Sequence, residues 1–170
     1  MYDDGRVFLV AGYWAKLKKS FSSASVYVIA ETAAVASSLA KRCMPQFQPA
    51  GVMSLAEVRR YVAYMSRIAS GDEVCLTQGG VARHPDGSVP IGQVFVVVGF
   101  SKTHSPDRDP IVNFVVAKSD VEAAVLQQAS MPSLSVSGAT SLDRLVALKS
   151  RMEHVATGEM PALKEQGVIR

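Results

Sequence analysis

Little in this chain is specialised. It has only two cysteines, Cys43 and Cys75. They are too few for a disulfide scaffold and form no CxxC pair, which excludes the small secreted classes held together by bridges. The expectation is two reduced, buried thiols in a cytoplasmic protein, because free cysteine behaves mostly as a small hydrophobe. No stretch approaches the ~20 apolar residues that a membrane-spanning helix requires, so no membrane partner is expected. The first residues carry Asp3 and Asp4 where a secretory signal needs positive charge, and the apolar run after them is short.

Chemistry-bearing motifs are also missing. No GxGxxG follows a strand and no GxxxxGK[ST] is present, which removes the common phosphate-cradling loops. There is no HExxH and no Cys-His spacing suited to zinc. Neither a catalytic residue, a metal nor a cofactor is therefore expected. The densest polar cluster, His104, Asp107 and Asp109, lies in a segment whose Asp, Pro and Ser are explained by turn formation. His154, near the end of a helix, suits the negative end of the dipole better than a catalytic role.

What the chain does have is a repeat. It is 170 residues long with 48% hydrophobic and 19% charged residues, a soluble globular composition. Shifted by 87 positions, residues 94 to 158 fall on residues 7 to 71 without a gap and share 16 identities in 65 positions. Val7, Phe8, Val10 and Gly12 meet Val94, Phe95, Val97 and Gly99, and Met44-Pro45 meets Met131-Pro132. A gapless series with Met-Pro, Gly and Ser-Leu in register is not a chance match between apolar segments. It reads as a tandem duplication.

Each copy reads β-β-α-β-α. Residues 7 to 14 and 26 to 30 are β-branched and aromatic, as strands are. A helix follows from Thr32 to about Arg42, and Met-Pro ends it because the residue before proline is pushed from helical angles. A third strand, "FQPAGVM", belongs at a sheet edge, since Pro49 has no ladder donor. The second helix opens at "SLAE" with Ser54 and Glu57 in capping-box spacing. Its apolar stripe is Leu55, Val58, Tyr61, Met65 and Ile68. Gly71 and Gly158 stand where helix C-caps belong.

The expected fold is thus α+β: a basic first unit over residues 1 to 71, a linker over 72 to 93 with room for a short hairpin, and a second unit over 94 to 158. A tail over 159 to 170, with little to bury, completes it. Residues 72 to 93 are read as having no second copy. The two units are expected to pack about a pseudo-twofold axis, because each alone leaves an open sheet edge.

Charge separates the copies. Residues 7 to 71 hold eight Lys/Arg against two acids, whereas residues 94 to 158 hold six of each sign. The candidates are Trp14, Lys16, Lys18 and Lys19 at one hairpin tip, Lys41 and Arg42 at a helix end, and Arg60 and Arg67 on the solvated face of the second helix. Cations beside aromatics suit a phosphate backbone, and Trp14 on an unpaired base would be the sharper form. The leading reading is a non-enzymatic, monomeric or homodimeric protein that binds DNA or RNA through its first unit. An alternative is a protein-binding inhibitor or assembly adaptor of the phage or plasmid accessory kind, engaging its partner through a sheet edge. A third is an enzyme with its site between the two units.

Overall fold

The computed structural model describes residues 2–14, 23–71, 86–88, 91–102, 110–164 and 167–169. The chain is α+β, with two sheets and four helices among the described residues. Strands β1 (Val7–Trp14), β2 (Ser23–Ile29) and β3 (Phe47–Ser54) build the first sheet with helices α1 (Ala33–Cys43) and α2 (Leu55–Ser70) between and after them. Strands β4 (Gln93–Ser101), β5 (Ile111–Ala117) and β6 (Leu134–Ser141) build the second, with α3 (Asp120–Ser130) and α4 (Leu142–Ala156). β7 (Ala162–Lys164) and β8 (Gly167–Ile169) close the chain. Helix α3 begins and ends 87 positions after α1, and β6 begins and ends 87 positions after β3.

Local chemistry sets these bounds. Thr32 and Ser119 are the N-caps of α1 and α3, and their hydroxyls accept from the backbone N–H three residues on. The residues before the two prolines, Met44 and Met131, are the C-caps. At the start of α2 the Ser54 hydroxyl accepts from Glu57 N–H at 3.1 Å while the Glu57 carboxylate accepts from Ser54 N–H at 2.8 Å. That is the reciprocal capping box expected from "SLAE". Gly71 and Gly158 follow their helices at φ of 80° and 84°, the left-handed region that glycine enters freely.

The first sheet runs β3-β1-β2-β7-β8, with β1 antiparallel to both β2 and β3. Pro49 therefore lies on an edge strand, where its missing N–H costs nothing. The second sheet runs β5-β4-β6, again antiparallel. The central strands β1 and β4 are buried on both faces, which is why they read as unbroken apolar runs. Both ladders slip by one residue at a glycine, Gly12 in β1 and Gly99 in β4. A Cβ on Gly12 would stand 2.1 Å from the Gln48 carbonyl oxygen, so only glycine lets the two backbones approach.

The chain divides into two compact units, Met1–Arg60 with Ala147–Arg170, and Tyr61–Val146. This division cuts across the sequence copies. The first unit takes most of α4, and the second takes most of α2. In the second unit, Tyr61 and Tyr64 of α2 set their rings 6.1 Å and 5.8 Å from that of Phe114 on β5. In the first unit, Tyr2 N–H donates to the Ala156 carbonyl at the end of α4, at 2.9 Å.

Two expectations change. The tail is not without burial. β7 pairs in parallel with β2, matching Val28 to Leu163, and Leu163 joins the core of Phe8, Val10, Val28, Leu39 and Phe47. An apolar Ala-Leu pair at a free strand edge finds both a ladder and a core. Cys43 is not buried either. As the last residue of α1 it faces solvent, and its thiol is free. Cys75 lies outside the described residues.

Candidate nucleic-acid interface

Antiparallel pairing sorts the charges of the first unit by end. β1 begins where β2 and β3 finish, so Asp3, Asp4, Glu31 and Glu57, just outside those strand ends or in the first turn of α2, all gather at one end of the sheet. These are the only acids in residues 1 to 60. At that end Arg6 pairs with Glu31, and Arg59 bridges Asp4 and Glu153, the latter at 3.2 Å. Lys149 reaches the same Glu153 carboxylate at 3.5 Å. Cations and acids here neutralise one another.

The opposite end carries no acid among its described residues. There β1 finishes at Trp14, β2 begins at Ser23, β3 begins at Phe47, and α1 delivers Lys41 and Arg42. Trp14 faces Phe47 across the ladder, and their rings meet edge to face at 5.7 Å. Phe47 N–H donates to the Met44 carbonyl at 2.9 Å, folding the short link from α1 back onto the strand. Lys41 Nζ donates to the Pro45 carbonyl at 2.8 Å, close to the exposed carbonyl end of α1. Arg42 is exposed and has no ion pair or hydrogen bond among the described residues.

Two shallow, solvent-open depressions lie along α1 and share Ser38 and Arg42. One, of about 490 Å³, is lined by Ser37, Ser38, Lys41, Arg42, Gln48 and Pro49. The other, of about 410 Å³, is lined by Ala34, Val35, Ser38, Leu39 and Arg42. Ser37 stands one turn from Lys41, and Ser38 one turn from Arg42, so hydroxyl and cation share a face. The positions 87 further on are Ala124 and Val125, then Gln128 and Ala129. Val121 and Val125 of α3 are 68% and 61% exposed. Two helices of equal bounds thus present the same face with different chemistry, so the fold itself dictates neither.

The candidate residues separate accordingly. Trp14, Lys41 and Arg42 come together at the acid-free end. Lys16, Lys18 and Lys19 lie outside the described residues. Arg60 is exposed next to Arg59, at the acid-rich end, and has an interaction of its own. Arg67 belongs to the other compact unit, where its guanidinium lies 4.9 Å over the Tyr64 ring. Trp14 is half-buried against the first core, in phase with Phe8 and Val10. Its ring is largely committed to Phe47.

Sequence reasoning missed Ser37, Ser38 and Gln48. The signal was there in the exchange of Ala124 and Val125 for serines, one helical turn before two cations. The polar cluster of His104, Asp107 and Asp109 lies outside the described residues. His154 Nδ1 meets the Glu159 carboxylate just past the end of α4, where the chain leaves the helix. No family model, no curated protein and no solved structure matches this chain.

Proposed function

We propose that this protein binds nucleic acid, without catalysis, through the acid-free end of its first compact unit. The observation that carries the reading is the sorting of charge along one sheet. The acids of residues 1 to 60 sit at one end among paired arginines, while Lys41 and Arg42 sit at the other. The first compact unit holds 12 Lys/Arg against seven Asp/Glu, the second six against eight. A cationic end beside a neutralised one gives the unit a direction, and phosphates are the anions that a row of lysines and hydroxyls suits.

Trp14 leans on Phe47, so the contacts on offer are charge and hydrogen bonds to the backbone of the nucleic acid. Such contacts position a strand and carry no base sequence. The test is retention of labelled DNA and RNA by the full chain at low salt. The logarithm of the binding constant should fall linearly with the logarithm of salt concentration, with a slope no steeper than about −4 to −5 for the five cations involved. Reversing Lys16, Lys18 and Lys19 to glutamate should abolish it. No retention by the unmutated chain at low salt overturns the reading.

We also infer that the chain is a tandem duplication of a β-β-α-β-α unit. The identities at offset 87 support it, as do the equal bounds of α1 and α3 and of β3 and β6. The two cores support it too. Phe8, Val10, Val28, Ala30, Ala36 and Leu39 fill the first, and the residues 87 later fill the second.

A further inference from the structure

Three members of the first core, Ala40, Phe47 and Leu163, have no counterpart among the described members of the second, and of these Leu163 comes from the tail strand β7. The sheets differ in the same place. The outer edge of β2 is paired by β7, while the outer edge of β5 has no strand partner among the described residues. An unpaired edge leaves backbone donors and acceptors without a ladder.

Once the tail is known to hold strands, the offset of 87 can be carried past Gly71 and Gly158. Residues 72 to 83 then meet residues 159 to 170, to the end of the chain. Leu76 meets Leu163, Gly80 meets Gly167, Val81 meets Val168, and Arg83 meets Arg170. Asp72 and Gln78 meet Glu159 and Glu165, and Cys75 meets Ala162. Four identities in twelve positions is a higher rate than over the rest of the repeat. The leucine of β7 and the glycine that opens β8 are among the positions kept.

The approach of the chain agrees. Residue 159 follows α4, which belongs with β2 in one compact unit, and residue 72 follows α2, which packs Tyr61 and Tyr64 on Phe114 of β5 in the other. Each stretch thus follows, in sequence, a helix with residues in the compact unit that holds the strand edge in question.

We propose that the outer edge of β5 is the docking site of this chain's own residues 72 to 83, with Leu76 opposite Val115. The register follows from the observed match of Val28 to Leu163 shifted by 87. Leu76 then takes beside Phe95, Val97 and Val115 the place that Leu163 holds in the first core, and Cys75 takes the place of Ala162, which is 7% exposed. The segment read as a linker becomes the last part of the first copy, and the β5 edge is closed to strand addition by another protein.

The test uses the full native chain. Cys43 is exposed, so a thiol reagent should label it at once, while Cys75 should label at least about tenfold more slowly until the chain is unfolded. Leu76→Asp should speed amide exchange in β5 by about tenfold or more and leave β2 unchanged, and Leu163→Asp should do the reverse. Labelling of Cys75 as fast as Cys43 overturns the proposal, as does unchanged exchange of β5 in Leu76→Asp. If that variant does not fold, the labelling rates of the unmutated chain decide alone. The proposal rests on the duplication; its failure would leave the matched bounds of α1 and α3 standing and remove only the pairing with β5.

Discussion

Trp14 meets Phe47 edge to face, ring centroids 5.7 Å apart, where the last residue of β1 pairs with the first of β3. Phe47 is fully buried and Trp14 half so. The pair fastens the hairpin end of the sheet to the core, and this commits Trp14 to structure before any ligand arrives. Trp14→Ala should lose about 2 kcal/mol of stability, below the range for a fully buried Trp because one side of this ring is already wet. Trp14→Phe should keep most of that stability and, on the proposed reading of a contact carried by charge, retain nucleic acid within about twofold. Thermal unfolding and filter retention check the two halves. Loss of retention in a folded Trp14→Phe chain would restore the stacking role.

The arginines separate by end, and so should their variants. Arg42→Glu should weaken nucleic-acid retention by about tenfold at low salt and make the salt dependence shallower, because it removes an exposed cation that has no ion pair among the described residues. Arg60→Glu, made next to an arginine already shared by Asp4 and Glu153, should change retention by less than about threefold. Equal losses in the two variants would show that the ligand does not discriminate between the ends of the sheet.

Much of this was legible in the sequence because it is local. The capping box of Ser54 and Glu57, the stop at Met44-Pro45 and the edge position of Pro49 each follow from a few adjacent residues. What was not legible depends on which strand or helix finds which partner. That α2 packs against Phe114 is decided by tertiary contacts that periodicity cannot carry. The tail looked idle because its few apolar residues form no stripe of their own, and the β2 edge gives Leu163 a core. The gathering of Arg42 with Trp14 is likewise a product of antiparallel pairing, invisible in residues 28 positions apart.

Arg59 holds two carboxylates, Asp4 and Glu153, on one guanidinium, with all three side chains between 37% and 41% exposed. Such partly wet pairs contribute modestly, so Arg59→Ala should cost about 1 kcal/mol at low salt. Most of that cost should vanish at high salt, because screening weakens the bridge and also the repulsion left between Asp4 and Glu153. Denaturant midpoints of both chains at two ionic strengths measure it. A cost that does not shrink with salt would assign Arg59 a packing role through its stem.

Glycines in these strands divide into those that the fold requires and those that it does not. A Cβ on Gly12 would stand 2.1 Å from the Gln48 carbonyl oxygen and 2.8 Å from the Phe47 ring, and one on Gly99 would stand 2.7 Å from the Ser135 carbonyl oxygen. Neither neighbour is a flexible side-chain end. Gly12→Ala and Gly99→Ala should therefore each cost about 3 kcal/mol or more, a fall of roughly 6–12 °C in Tm for a chain of this size. Gly51 and Gly138, in β3 and β6, have nothing within 4 Å of where a Cβ would stand and no positive φ. Alanine there should be neutral or stabilise by about 0.5 kcal/mol, since it restricts the unfolded chain without a clash. The four variants share one chemical change, so the contrast between the pairs isolates the close approach of β1 to β3 and of β4 to β6. A similar Tm for all four would mean that the ladders slip at these glycines for a reason other than backbone contact.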